Sequence, residues 1–251
     1  MTAESLKAII VDDESLARGI IREYLSRHSD IDVVAECGNG FEAVKAITEL
    51  APDIVFLDIQ MPKLDGFEVL ELVDGAFAVV FVTAHDEHAL KAFDVNAVDY
   101  LLKPFTSERF DRALSKAFET LHTGDAPAAN EKARSIRRHD GGESERVLIK
   151  DGTNVHILPL ESISHIEARD DYVSVVSRGK KYLKEQSLRE LEERLPQDRF
   201  IRIHRSTLLN IDFLARIETY AKDSRVAILK DGSRLNISRS GYDRLKSRLE
   251  T

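Results

Sequence analysis

Four short apolar runs in the first half of the chain each stop at a residue able to do chemistry, and this repetition constrains the fold more than any other feature. Ala8-Ile9-Ile10-Val11 stops at Asp12-Asp13, and Ile54-Val55-Phe56-Leu57 stops at Asp58. Val79-Val80-Phe81-Val82 stops at Thr83, and Val98-Asp99-Tyr100-Leu101-Leu102 stops at Lys103-Pro104. Short apolar runs separated by helical stretches read as buried parallel strands. Residues 15–26 carry Leu16, Ile20, Ile21 and Leu25 at helical spacing. Residues 31–36 read as a further strand, and 40–50, the stretch after Gly66, 86–94 and 107–121 as helices, the last with Ser107 as its N-cap. The order βαβαβαβαβα predicts an α/β doubly wound parallel sheet.

The second half follows a different grammar. Short runs at 146–149, 155–158, 163–167, 172–176, 181–184, 214–220, 225–229 and 234–237 are separated by turn signals such as Asp151-Gly152, Arg178-Gly179 and Asp231-Gly232. Asp-Gly between such runs is a strong hairpin signal. Only 187–195, capped by Ser187, and 238–249 have helical spacing. The expectation is a mostly antiparallel β domain over 145–251, joined to the α/β domain (1–122) by a linker (123–144) rich in Ala, Gly, Ser, Pro and mixed charge.

Charge divides along the same line. Residues 1–122 hold 11 Lys and Arg against 23 Asp and Glu, a formal −12; residues 145–251 hold 21 against 17, a formal +4. Different partners for the two halves are implied. No apolar stretch approaches a membrane span and the start of the chain lacks a secretory pattern, so the expectation is a cytoplasmic protein with no membrane partner. The single cysteine, Cys37, cannot form an internal disulfide and reads as a small residue at a strand.

In an open parallel sheet, ligands meet the carboxyl ends of the strands. Asp12, Asp13, Asp58, Thr83 and Lys103 would therefore gather at one point, which fits an aspartate nucleophile toward phosphorus beside a Mg2+ site. Asp13 and Asp58, with the backbone carbonyl near Gln60, would supply ligands, and Asp12 would help position the metal. Lys103 would pair with phosphoryl oxygens, Thr83 would donate its hydroxyl to one, and Tyr100 would change rotamer as Thr83 moves. Lys103-Pro104 is expected to be cis, since cis bonds belong essentially to proline.

With Val11-Asp12-Asp13-Glu14, Phe56-Leu57-Asp58-Ile59-Gln60-Met61-Pro62, Asp65-Gly66, Val82-Thr83-Ala84 and Leu102-Lys103-Pro104-Phe105 in this order, the first half resembles the receiver domain of two-component response regulators, a flavodoxin-like fold. The resemblance implies phosphotransfer from a histidine kinase to Asp58 and homodimerisation as a common consequence. It makes the chain a switch rather than an enzyme in the usual sense.

The stretch 92–105 is similar to receivers attached to a LytTR DNA-binding domain. Ile163-Ser164-His165-Ile166-Glu167-Ala168 with Asp171-Tyr172-Val173, Phe200-Ile201-Arg202-Ile203-His204-Arg205-Ser206 with Asn210, and Asn236-Ile237-Ser238-Arg239 resemble that domain's motifs. The resemblance implies duplex DNA as partner, read through loops and strand ends, with Arg205 and Arg239 at base-contacting positions. Arg202, His204, Arg205, Arg169 and Tyr172 are chemically suited to DNA, and Ser238 and Arg239 open a helix whose N–H groups face outward. Lys180, Lys181, Lys184, Lys222 and Arg225 are candidates for phosphate contacts. Alternatives stand beside these: Arg202 holding a carboxylate such as Glu167, His204 bonded to a backbone carbonyl, and, for the whole half, a protein-interaction output with no DNA role.

Overall fold

The computed structural model describes residues 5–84, 97–123, 146–170, 172–221 and 224–249. The expected helix at 86–94, nearly all of the linker, and Asp171 and Lys222 lie outside the described residues.

The first unit is a five-stranded parallel sheet in the order β2-β1-β3-β4-β5. Its strands are β1 (Leu6–Val11), β2 (Ile31–Cys37), β3 (Ile54–Leu57), β4 (Ala78–Thr83) and β5 (Asp99–Leu102). Its helices are α1 (Ser15–Leu25), α2 (Gly40–Leu50), α3 (Gly66–Leu72) and α4 (Ser107–Thr123). Both faces of β1, β3 and β4 are covered, which is why these runs are continuously apolar. One face, with Ile10, Phe56, Val80 and Val82, packs against Ile21 and Leu25 of α1 and Phe110, Ala113, Leu114 and Ala117 of α4. Strand alternation turns Ile9, Val55, Leu57 and Phe81, all fully buried, to the other face. The strand order reverses beside β1, so the crevice above β1 and β3 is the switch point of the sheet. At the start of α4, Thr106 Oγ1 accepts from the Arg109 amide at 3.3 Å, so Thr106, and not the expected Ser107, is the cap.

The second unit stacks three sheets. β6 (Arg146–Asp151) and β7 (Asn154–Pro159) form a two-stranded hairpin. β8 (Ile163–Arg169), β9 (Tyr172–Ser177), β10 (Lys180–Lys184), β11 (Phe200–His204) and β12 (Thr207–Asn210) form a sheet in the order β10-β9-β8-β12-β11, antiparallel throughout. β13 (Leu214–Ala221), β14 (Ser224–Leu229) and β15 (Arg234–Ile237) form the third. One core joins β6 and β7 and helix α5 (Leu188–Arg194) to the central sheet through Ile163, Ile166, Val173, Val175, Leu188, Leu191 and Leu208. The other joins Ile201, Ile203 and Leu209 to β14, β15 and helix α6 (Arg239–Leu249) through Ala227, Leu235, Ile237 and Leu245. Arg178 and Gly179 have φ of 48° and 75°, which gives the β9–β10 hairpin its tight two-residue turn.

Candidate functional site

At the carboxyl end of the parallel sheet, hydrogen bonds hold the chemical residues in place. The Asp58 amide donates to the Val11 carbonyl (2.8 Å) and the Lys103 amide to the Thr83 carbonyl (2.8 Å), so each loop extends its strand's ladder by one bond. Asp12 Oδ1 accepts from the Glu14 amide (2.9 Å), and Asp58 Oδ1 from the Gln60 amide (3.2 Å). Lys103 Nζ then bridges the two acids, 2.6 Å from Asp12 Oδ2 and 2.9 Å from Asp58 Oδ2. The Lys103-Pro104 bond is cis.

Asp12 and Asp58 are buried, Asp13 is exposed, and the three present carboxylate oxygens within 4.8 Å of one another. Burial pushes the Asp12 carboxyl above its ordinary range, against the pull of Lys103 and the Glu14 amide. Burial also works against the Lys103 charge, but the bonds to Asp12 and Asp58 outweigh it and hold the ammonium above its usual range. The all-oxygen set of Asp12, Asp13 and Asp58, with only one lysine to balance it among the described residues, fits a hard divalent cation. Thr83 is fully buried at the end of β4, and Tyr100, half-buried, pairs in register with Phe81.

Two supporting residues carry no periodic signal. Arg18 reaches back from α1 to the Asp12 carbonyl (2.7 Å). Gly66 lies so close to the loop after β3 that a Cβ there would stand 2.5 Å from the Asp58 carbonyl oxygen. Cys37, at the end of β2, is buried, and that burial pushes its thiol up to about 11, as an inert packing residue requires.

In the second unit, two hairpin tips and a helix start share one end of the central sheet. The Ala168 amide donates to the Ser206 carbonyl (2.8 Å), which ties the β8–β9 tip to the β11–β12 tip. The Ser238 amide donates to the Ile203 carbonyl (2.9 Å), which ties the start of α6 to the same place. Arg169, Tyr172, Arg205 and Arg239 are exposed there, and Tyr172 is 46% accessible. Arg205 and Arg239 have no side-chain partner among the described residues, whereas Arg169 lies 3.6 Å from Glu167.

His204 Nδ1 accepts from the Ser206 amide (3.3 Å) and meets the Ser206 hydroxyl (2.8 Å). The backbone bond is therefore to an N–H and not to the expected carbonyl, and in the neutral ring it assigns the proton to Nε2. Arg202 pairs with Glu192, not with Glu167, and its second nitrogen donates to the Arg205 carbonyl. Among the candidate phosphate contacts, Lys184 donates to the Leu148 carbonyl (2.7 Å), and Arg225 lies over the Tyr242 ring at 3.9 Å. Lys180 and Lys181 pair with Ser177 and Val176, at the end of β9 away from Tyr172.

Two protein-family models match the chain: the response regulator receiver domain over residues 8–115 and the LytTr DNA-binding domain over 153–250. Over 244 residues the chain is 34% identical to the transcriptional regulatory protein BtsR of Escherichia coli (strain K12), spanning 96% of this chain and 98% of that one. It is 33% identical over 248 residues to the sensory transduction protein LytT of Bacillus anthracis, spanning 97% and 99%. The response regulatory domain of protein mrkE from Klebsiella pneumoniae is similar at 33% identity and a TM-score of 0.44, covering 47% of this chain and 99% of that one. The chain is a response regulator. It belongs to the family in which a receiver domain is followed by a LytTR DNA-binding domain. Among the described residues no helix is long and apolar enough to cross a membrane.

Proposed function

We propose that this protein accepts a phosphoryl group on Asp58 and, in that state, binds duplex DNA sequence-specifically to control transcription within a two-component system. The division is a receiver over 1–122, a linker over 123–144 and a DNA-binding domain over 145–251. The observation that carries the reading is the convergence of Asp12, Asp13, Asp58, Thr83 and Lys103 at one switch point of the first unit; within the second unit, exposed Arg205 and Arg239 share one end of a sheet.

A histidine kinase is the phosphodonor. An Asp58 carboxylate oxygen attacks phosphorus while the bond from phosphorus to the donor nitrogen breaks and the donor leaves with the electron pair. Asp12, Asp13, Asp58 and the Gln60 carbonyl would hold Mg2+, which supplies the neutralisation that lets an anion attack an anion. Lys103, already 2.9 Å from Asp58, then follows the new charge onto the phosphoryl oxygens. Thr83 turns its hydroxyl to the same group, and Tyr100 packs into the space released. The protein is a regulator whose chemistry is confined to its own phosphorylation and dephosphorylation.

On DNA, Arg205 and Arg239 read base edges. Arg169, Tyr172, His204 through Nε2–H, and the helix start at Ser238 contribute neighbouring contacts. Phosphorylation brings two copies together through the receiver, and the protein works in the cytoplasm.

The test is the full chain with and without beryllofluoride, measured by sedimentation and by binding to duplexes selected from a random library. The expected result is a dimer and tighter specific binding in the beryllofluoride state. A chain that binds no duplex in either state at low salt would favour a protein-interaction output instead.

A further inference from the structure

Arg202 stands in the row of basic residues that leads to the DNA-facing tip, yet its guanidinium is committed inward. One nitrogen pairs with Glu192 on α5, another donates to the carbonyl oxygen of Arg205, and the Arg202 carbonyl itself accepts from Arg244 Nε of α6 at 3.0 Å. The Arg202 and Glu192 side chains are 23% and 31% accessible, so the pair is sheltered without being buried. The Arg205 carbonyl sits in the two-residue turn between β11 and β12, where backbone register is irregular between Arg202 and His204. A turn interrupted in this way draws less definition from the ladder, and a charge-assisted bond to its carbonyl supplies what the ladder does not.

We propose that Glu192 and Arg202 are positioning residues for sequence discrimination: a strut from α5 that fixes the peptide carrying Arg205 and itself touches no DNA. The proposal rests on the reading of Arg205 as a base-contacting residue. Glu192 orients the guanidinium by taking one edge of its planar fork, and the other edge holds the Arg205 carbonyl. A lysine cannot make both bonds with the same geometry. The chemistry assigns an acidic residue a favourable role in a DNA-binding domain, against the sign that simple charge counting gives.

That opposition of signs makes the test sharp. The full-length chain is titrated with two duplexes of equal length, one selected by the wild-type chain from a random-sequence library and one with that sequence scrambled, at several salt concentrations. Glu192→Ala should bind the scrambled duplex as well as wild type or slightly better, because a negative charge is gone, while its preference for the selected duplex falls roughly tenfold. Glu192→Gln keeps an acceptor and should recover most of the preference. Arg202→Gln should lose preference to a similar extent with an unchanged slope of log affinity against log salt. In an Arg205→Ala background, Glu192→Ala should have no further effect on preference.

A fall of about one unit in the salt slope of Arg202→Gln would make Arg202 a phosphate contact and overturn the strut. Equal tightening of Glu192→Ala on both duplexes, with preference intact, would overturn it as well. Preference retained by Arg205→Ala itself, or no enriched sequence in the selection, would instead remove the reading on which the strut rests. Glu192 is half-exposed and stands outside the core face that Leu188 and Leu191 form on α5, so its variants keep the question answerable even where Arg202→Gln fails to fold.

Discussion

The hydroxyl and the amide of Ser238 both donate to the carbonyl oxygen of Ile203, at 3.0 and 2.9 Å. The same hydroxyl accepts from the Gly241 amide at 3.1 Å, so one side chain caps α6 and fastens it to β11. Arg239 and Arg205 are thereby set a residue or two from a common anchor, although 34 positions separate them in the chain.

Gly241 is part of that anchor. A Cβ at this position would run into the backbone carbonyl of Ile203, which cannot swing aside as a side chain would. Gly241→Ala is expected to destabilise the second domain by about 1–3 kcal/mol through forced displacement of α6, and to weaken DNA binding beyond what the lost stability explains. Urea unfolding together with duplex titration at a temperature where the variant is folded checks both; normal stability would show that α6 can move away freely.

Asp58→Asn should abolish stoichiometric labelling by acetyl phosphate with magnesium, since the remaining carboxylates, Asp12 and Asp13, lie at the end of β1 and not on the acceptor loop. Asp13→Ala should cripple labelling through lost metal affinity and be partly rescued by excess magnesium. Mass spectrometry of the intact chain reads both. Full labelling of the Asn variant would move the acceptor elsewhere.

Arg205→Ala or Arg239→Ala should cost about 1–3 kcal/mol on a selected duplex and erode the preference over a scrambled one. Lys181→Ala, at the end of β9 away from Tyr172, should change neither the preference nor the salt slope. Titration at several salt concentrations separates these outcomes, and a slope reduced by about one unit in Lys181→Ala would extend the DNA footprint along β10.

His165 is buried in β8, bonded to Ser164 Oγ at 3.0 Å, and burial holds its imidazole below the usual range against the upward pull of Glu167 and Asp231. In the unfolded chain it takes up a proton near pH ~6.5; in the folded chain it does so only at lower pH. Between those values the unfolded state binds more protons, so stability falls as pH falls below about 6.5. Urea midpoints from pH 7.5 to 5.5 should decline less steeply for His165→Gln than for wild type. Parallel declines would place the proton-linked group elsewhere.

The sequence alone determined the parallel sheet, because runs buried on both faces must be continuously apolar and the helices between them keep their own period. It also determined which polar residues gather at the carboxyl ends of those strands: Asp12, Asp58, Thr83 and Lys103 each close or directly follow such a run. The helix bounds at 40–50 and the Ser187 cap were legible for the same local reason. β12 was not among the runs read from the sequence. Thr207–Asn210 is buried on both faces, Leu208 in one core and Leu209 in the other, so it shows neither alternation nor length. Tertiary structure alone decided the partner of Arg202, since Glu192 comes to it across a helix-to-strand packing that no spacing encodes. It decided the use of Lys184 as a tie to Leu148, the placing of Arg225 on Tyr242, and the need for glycine at 241. Local periodicity reports which face of an element is dry. Which distant residue closes on that face depends on how whole layers pack, and only the folded chain holds that information.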